Sequence, residues 1–195
     1  MCLLSRLHPR IWSVKNLPSD SFRLIPCRAP LGGALVVTQN AILYINQTQY
    51  FGLSTNAFAQ NTINQNQFPV YPSIAASINA EPINIMLRGC QYDYFNQDEI
   101  LFSMPDGGLY LLSLPTHEVL KHGTHYGGEQ CQLALRKIGS SVPTTCVSVD
   151  SSKGLVFLGS RDSDSVLLSY SEINNLPETH GKFSSLCKMP CNFSF

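Results

Sequence analysis

Charge is scarce in this chain. Only 13% of its 195 residues are Asp, Glu, Lys or Arg, whereas charged residues make up about a quarter of an ordinary soluble domain. A surface so poor in charge is expected to be covered by neighbouring protein. The thirteen basic and thirteen acidic side chains cancel, and no run of Lys or Arg occurs. A nucleic-acid binder normally carries a basic stripe, because phosphate neutralisation supplies most of its affinity. Direct binding of RNA or DNA by this piece alone is therefore disfavoured. Long apolar runs are missing too. No window approaches the ~18 consecutive apolar residues of a membrane helix, and Met1 to Arg10 lacks the apolar stretch of a secretion signal. The expectation is a soluble, intracellular protein in which Asn46-Gln47-Thr48 and Asn192-Phe193-Ser194 go unglycosylated.

A disulfide framework is absent as well. The seven cysteines (Cys2, Cys27, Cys90, Cys131, Cys146, Cys187 and Cys191) are odd in number and irregular in spacing. They read as reduced thiols acting as small apolar side chains. Finally, no stretch sustains a 3.6-residue apolar period, which argues against a helical domain.

What recurs instead is short β-rich runs broken by Gly, Asn, Asp and Pro. Gly33 to Val37 and Ala41 to Ile45 form a hairpin across Thr38-Gln39-Asn40. Strands are expected at Ile83 to Leu87, Gln91 to Phe95, Ile100 to Ser103 and Leu109 to Leu114, and then at Cys131 to Ile138, Thr145 to Val149, Leu155 to Leu158 and Val166 to Tyr170. The Asn/Gln-rich stretch from Asn56 to Gln67 has no apolar period and reads as a mobile surface loop.

Alternation inside the strands shows how they are covered. Leu109 and Leu111 share one face, while Tyr110, Leu112 and Leu114 share the other. Ala34 and Val36 likewise oppose Leu35 and Val37. Both faces are apolar, so the strands are expected to be buried on both sides, as in radially packed propeller blades. A four-stranded blade takes about 40–45 residues and a seven-bladed ring roughly 300. The reading is all-β: a partial β-propeller of two to three four-stranded antiparallel blades, an incomplete ring with two bare blade faces.

Several segments, in order, resemble the first propeller of the largest-subunit family of the cleavage and polyadenylation specificity factor. They are His8-Pro9 with Trp12-Ser13 and Asn16-Leu17-Pro18, then Leu31-Gly32-Gly33 through Val37, and Leu43-Tyr44-Ile45-Asn46-Gln47. Gly107-Gly108-Leu109-Tyr110-Leu111, Phe157-Leu158-Gly159-Ser160-Arg161 and Leu167-Leu168-Ser169-Tyr170 follow. The resemblance covers residues 9–172 as a partial N-terminal β-propeller. Residues 173–195 match nothing in it and are expected to be disordered or a gene-model artefact. Asp162, Ser163 and Asp164 depart from the family's preference for Gly and Asn. The damaged-DNA-binding subunit of a ubiquitin ligase and the propeller subunit of splicing factor 3b share the architecture.

No catalytic, cofactor-binding or metal-binding residue is assigned, and no cofactor is expected. His180, Cys187 and Cys191 have a C-x₃-C spacing but lack the second ligand pair of a zinc site. His117, His122 and His125 sit on a Gly-rich stretch with no partner that would make one of them a base. Asp162 and Asp164 suit a tight turn better than a hydrolytic pair. Tyr92, Tyr94 and Phe95 could stack on bases, but only Arg88 lies near them in sequence, so blade packing is preferred. The resemblance implies a non-enzymatic, nuclear scaffold bound to other subunits of the cleavage and polyadenylation complex. Pre-mRNA would be reached indirectly, with no membrane and no small-molecule substrate. The alternatives are a direct RNA contact through Arg23, Arg28, Arg88 and Arg161, or an equivalent scaffold in the ubiquitin ligase or splicing factor 3b.

Overall fold

The computed structural model describes residues 12–72, 83–115, 133–171 and 182–189. Blade 1 runs through β1 (Arg23–Pro26), β2 (Ala34–Val37), β3 (Ala41–Ile45) and β4 (Tyr50–Ser54). A one-turn helix, α1 (Ala59–Thr62), and a short strand parallel to β4, β5 (Val70–Pro72), complete it. Blade 2 comprises β6 (Gln91–Tyr94), β7 (Glu99–Ser103), β8 (Gly108–Ser113) and β9 (Ala134–Ser140). Blade 3 comprises β10 (Cys146–Asp150), β11 (Leu155–Gly159), β12 (Ser165–Ser171) and β13 (Lys182–Met189). Strands adjacent in sequence are adjacent in each sheet, and none of the three sheets closes. The chain is a partial propeller of three blades. Strand β13, within the segment that the sequence left unmatched, pairs with β12 from Ser165↔Met189 to Ser171↔Lys182.

The two-sided alternation is what joins the blades. On blade 1, Leu35, Val37, Ile42 and Tyr44 point toward blade 2 and meet Ile100, Phe102 and Leu112 in one buried cluster. The opposite face of blade 2 presents Leu101, Leu109 and Leu111 to Val156, Leu158, Val166 and Leu168 of blade 3. Each fully buried side chain of this size is worth about 1.5–3 kcal/mol relative to exposure. Inter-blade burial therefore dominates what holds the arc together. The Tyr44 hydroxyl enters the core satisfied, donating to the carbonyls of Gly32 (3.1 Å) and Leu31 (3.3 Å).

Two glycines are required by local geometry. Gly107 has φ +87, a left-handed conformation, and a Cβ there would run into the Ser141 carbonyl. Gly52 sits in mid-strand where a Cβ would lie 2.6 Å from Leu43 Cδ2, so its absence lets that leucine through. The mid-strand Gly52 and the Pro26 at the end of β1 punctuate β4 and β1, which is why neither run stands out as a strand in sequence. Conversely, Ile83 to Leu87, expected as a strand, is an extended connector. Its amides donate to scattered acceptors, Ile85 to Thr55 O and Leu87 to Gln39 O (both 2.9 Å), instead of to a ladder. Its apolar pattern is real, since Leu87 is buried.

The Asn/Gln-rich stretch is not a loose loop. Ala59, Ile63 and Phe68 pack onto Val36, Ala41, Leu43 and Ile45 on the outward face of blade 1. Three anchors at irregular spacing leave no period to detect, yet they suffice to seat the segment. The amides tie the turns: Asn56 Oδ1 accepts from Phe58 N (3.0 Å), Asn64 Oδ1 from Asn66 N (3.1 Å), and Gln65 Oε1 from Val70 N (3.2 Å). Gln67 Nε2 also donates to Lys15 O (2.8 Å). The first terminal face, expected to be bare, is thus partly covered. What stays open there is a groove of about 340 Å³, lined by Trp12, Val14, Leu17, Leu24 and Val36 among others. Replacing Phe68 with Ala should destabilise the chain by about 3–5 kcal/mol in chemical denaturation, the cost of an unfilled aromatic site. A loop that merely floats over the sheet would make that substitution nearly silent.

Candidate interaction surface at the inner rim

The blades converge at their first strands. Tyr94 Oη on β6 donates to Pro26 O on β1 (2.7 Å), and Gln97 Nε2 donates to Ala29 O (3.0 Å). On the other side, Val149 N of β10 donates to Asp93 Oδ2 of β6 (2.7 Å). Their exposure fits a rim that faces open space: β6 is half-buried throughout and β10 alternates exposed and half-buried, while β3 is buried along its whole length. Side chains available to a partner therefore gather on β1, β6 and β10.

The main feature of this rim is a pair of arginines lying on tyrosines. The Arg23 guanidinium lies 5.3 Å from the Tyr92 ring centroid, and that of Arg28 lies 4.0 Å from Tyr94. Such contacts contribute about 0.5–1 kcal/mol where exposed. More usefully, they hold each planar fork against a ring with its N–H edges free. Among the described residues the ion pairs are Arg136–Glu99 (3.5 Å) and Lys153–Asp150 (3.7 Å), and neither rim arginine belongs to one. The arrangement can present two oriented cations to an anionic group.

Other candidates fall elsewhere. Tyr92 and Tyr94 pack against the cluster between blades 1 and 2, while Phe95 belongs to the next cluster, edge-on to Tyr170 at 4.6 Å. The three aromatics do not form one platform. The cations beside the tyrosines are Arg23 and Arg28, far off in sequence, and Arg88 is an exposed turn residue. Reading β1 and β6 as equivalent first strands of successive blades is the signal that would have found these pairs. Asp162 and Asp164 are exposed, and their turn is tied by serines instead, with Ser163 N donating to Ser160 Oγ and Ser160 N to Ser165 Oγ (both 3.2 Å). His117, His122, His125, His180 and Cys191 lie outside the described residues, and only the backbone pairing of Cys187 with Leu167 is described. Among the described residues no three His, Cys, Asp or Glu side chains gather as metal ligands would.

Burial controls the thiols near the rim. It pushes Cys27 up to about 11 from an ordinary 9.0, and Cys90 to about 11 as well, the latter against a pull downward from Arg23. Burial also raises Tyr44, Tyr94 and Tyr110. Thiols held this high stay protonated at neutral pH and make poor nucleophiles. Because the folded values lie above the unfolded ones, the stability from keeping these groups neutral is complete below about pH 9 and is lost as pH rises toward about 11. The thermal midpoint should fall across that window, and less steeply in a Cys27→Ala/Cys90→Ala variant. A thiol reagent near neutral pH should modify the exposed Cys146 in native protein and Cys90 only after unfolding.

Comparison with known proteins agrees with this geometry. A family model described as the RSE1/DDB1/CPSF1 first beta-propeller matches residues 6–184. Cleavage and polyadenylation specificity factor subunit 1 of Drosophila melanogaster is 32% identical over 169 residues, covering 86% of this chain and 10% of that protein. The protein of the same name from Arabidopsis thaliana is 32% identical over 180 residues, covering 87% and 11%. Protein CFT1 of Coccidioides immitis is 28% identical over 163 residues, covering 82% and 11%. The chain thus spans about a tenth of the length of the relatives it matches. With its three two-faced blades and this match over nearly its whole length, the chain belongs to the RSE1/DDB1/CPSF1 first β-propeller family.

Proposed function

We propose that the chain is a non-enzymatic scaffold segment of the nuclear pre-mRNA 3′-end cleavage and polyadenylation complex, supporting recognition of the polyadenylation signal. The observation that carries this reading is the pairing of its family with its build. Two of the relatives quoted above are named cleavage and polyadenylation specificity factor subunit 1, and the blades are fixed by apolar cores shared between neighbours. Rigid blades hold loops and inner strands in set positions, and partner subunits bury them. The low charge of the chain suits surfaces that end up covered, and the protonated state of Cys27 and Cys90 suits a structural role for both. RNA is reached through the complex, since two oriented arginines without a wider basic field give too few phosphate contacts for appreciable affinity.

Tagged chain isolated from nuclear extract should carry 3′-end-processing proteins with it, and ribonuclease treatment should leave them attached. Recovery of the chain alone, or with ubiquitin-ligase or splicing proteins in their place, would contradict the assignment.

A further inference from the structure

We propose that the inner rim between blades 1 and 2 is a docking site for an extended acidic peptide segment of a partner protein, gripped by Arg23 and Arg28. The inference rests on the scaffold reading above and specifies its partner chemistry at one place.

Three observations converge on it. First, both guanidiniums are oriented by tyrosines and lack a carboxylate within ion-pair distance among the described residues. An arginine fork held flat presents paired N–H groups that match a carboxylate in a bidentate manner. Second, Tyr92 and Tyr94 stand two residues apart on one face of β6, an interval of about 7 Å. The side chains on one face of an extended peptide repeat at the same interval, so carboxylates at alternate positions would meet the two stacked arginines in turn. Third, the site is built before any ligand arrives. Tyr94 Oη to Pro26 O (2.7 Å) and Gln97 Nε2 to Ala29 O (3.0 Å) fix the turn that carries Arg28 against blade 2. Prior ordering of this kind reduces the entropy lost on binding.

The acid lying between the two tyrosines does not compete. Asp93 points to the other face of its strand, where its carboxylate accepts from Val149 N (2.7 Å) and Tyr94 N (2.8 Å). An acidic peptide is favoured over RNA as occupant by the charge balance. Thirteen basic and thirteen acidic side chains provide no extended positive field along which a phosphate backbone could run. Two matched carboxylates need no such field.

The test uses the full chain and a labelled short peptide alternating glutamate with valine, read by fluorescence anisotropy. A lysine–valine peptide and a uridine oligonucleotide of similar length serve as the other probes. The glutamate peptide should bind in a salt-sensitive manner and the lysine peptide should not. Arg28→Gln should weaken binding about tenfold or more, as expected for loss of a hydrogen-bonded charge pair. Arg28 is exposed, so that change leaves the fold intact, and a thermal midpoint lowered by no more than a few degrees, from the loss of its contact with Tyr94, checks it. Arg28→Lys should restore only part of the affinity, because the charge returns without the fork. Equal binding by the parent and Arg28→Gln, or tighter binding of the uridine oligonucleotide than of the peptide, would overturn the proposal. Continued recovery of 3′-end-processing proteins alongside such a result would locate the failure in this site and leave the scaffold reading standing.

Discussion

Everything in this chain depends on the covering of one apolar blade face by the next. A four-stranded meander with leucine, isoleucine or valine on both sides cannot leave either side in water without losing most of what stabilises it. The arc satisfies this twice between blades, where Ile42 and Tyr44 meet Phe102 and Leu112, and where Leu109 and Leu111 meet Val156 and Leu168. A third solution appears on the outward face of blade 1, where the chain itself supplies Ala59, Ile63 and Phe68 in place of another sheet. The details elsewhere are consequences. Gly107 turns the β7–β8 hairpin tightly against Ser141, and Gly52 makes room for Leu43.

Face packing also decides where function can reside. Side chains committed to the blade faces cannot meet a partner, and the half-buried thiol of Cys27 and the buried thiol of Cys90 are held protonated by their desolvation. The first strands are different. Being innermost, they touch their counterparts edge to edge through hydrogen bonds such as Asp93 with Val149 N, and apart from the buried Ile25 their side chains keep part of their surface accessible. A scaffold of this kind recognises partners with few residues, each oriented by a core that does not change.

The blade pattern was legible in sequence because β-period alternation survives when both faces are apolar. Leu109 and Leu111 opposite Tyr110 and Leu112 correctly told that β8 is covered twice. The hairpin of β2 and β3 was equally plain. What could not be read was anything held by sparse or distant contacts. Ile63 and Phe68 are buried by tertiary contacts that no local period announces, among amides whose usual reading is disorder. The rim pairs Arg23–Tyr92 and Arg28–Tyr94 join residues on successive blades. Only the blade register brings them together. Ile83 to Leu87 misled for the opposite reason, since a strand-like pattern serves there to pack Ile83, Ile85 and Leu87 against the core from a connector.

The most direct test of the face-packing account is hydrogen exchange measured peptide by peptide across the native chain. Strands β7 and β8 are covered by a blade on each side, so their amides should exchange slowest. Strand β10, at the rim with alternate residues exposed, should exchange much faster. Equal rates along all three blades, or faster exchange in β7 and β8 than in β10, would mean that the blades do not bury one another in solution.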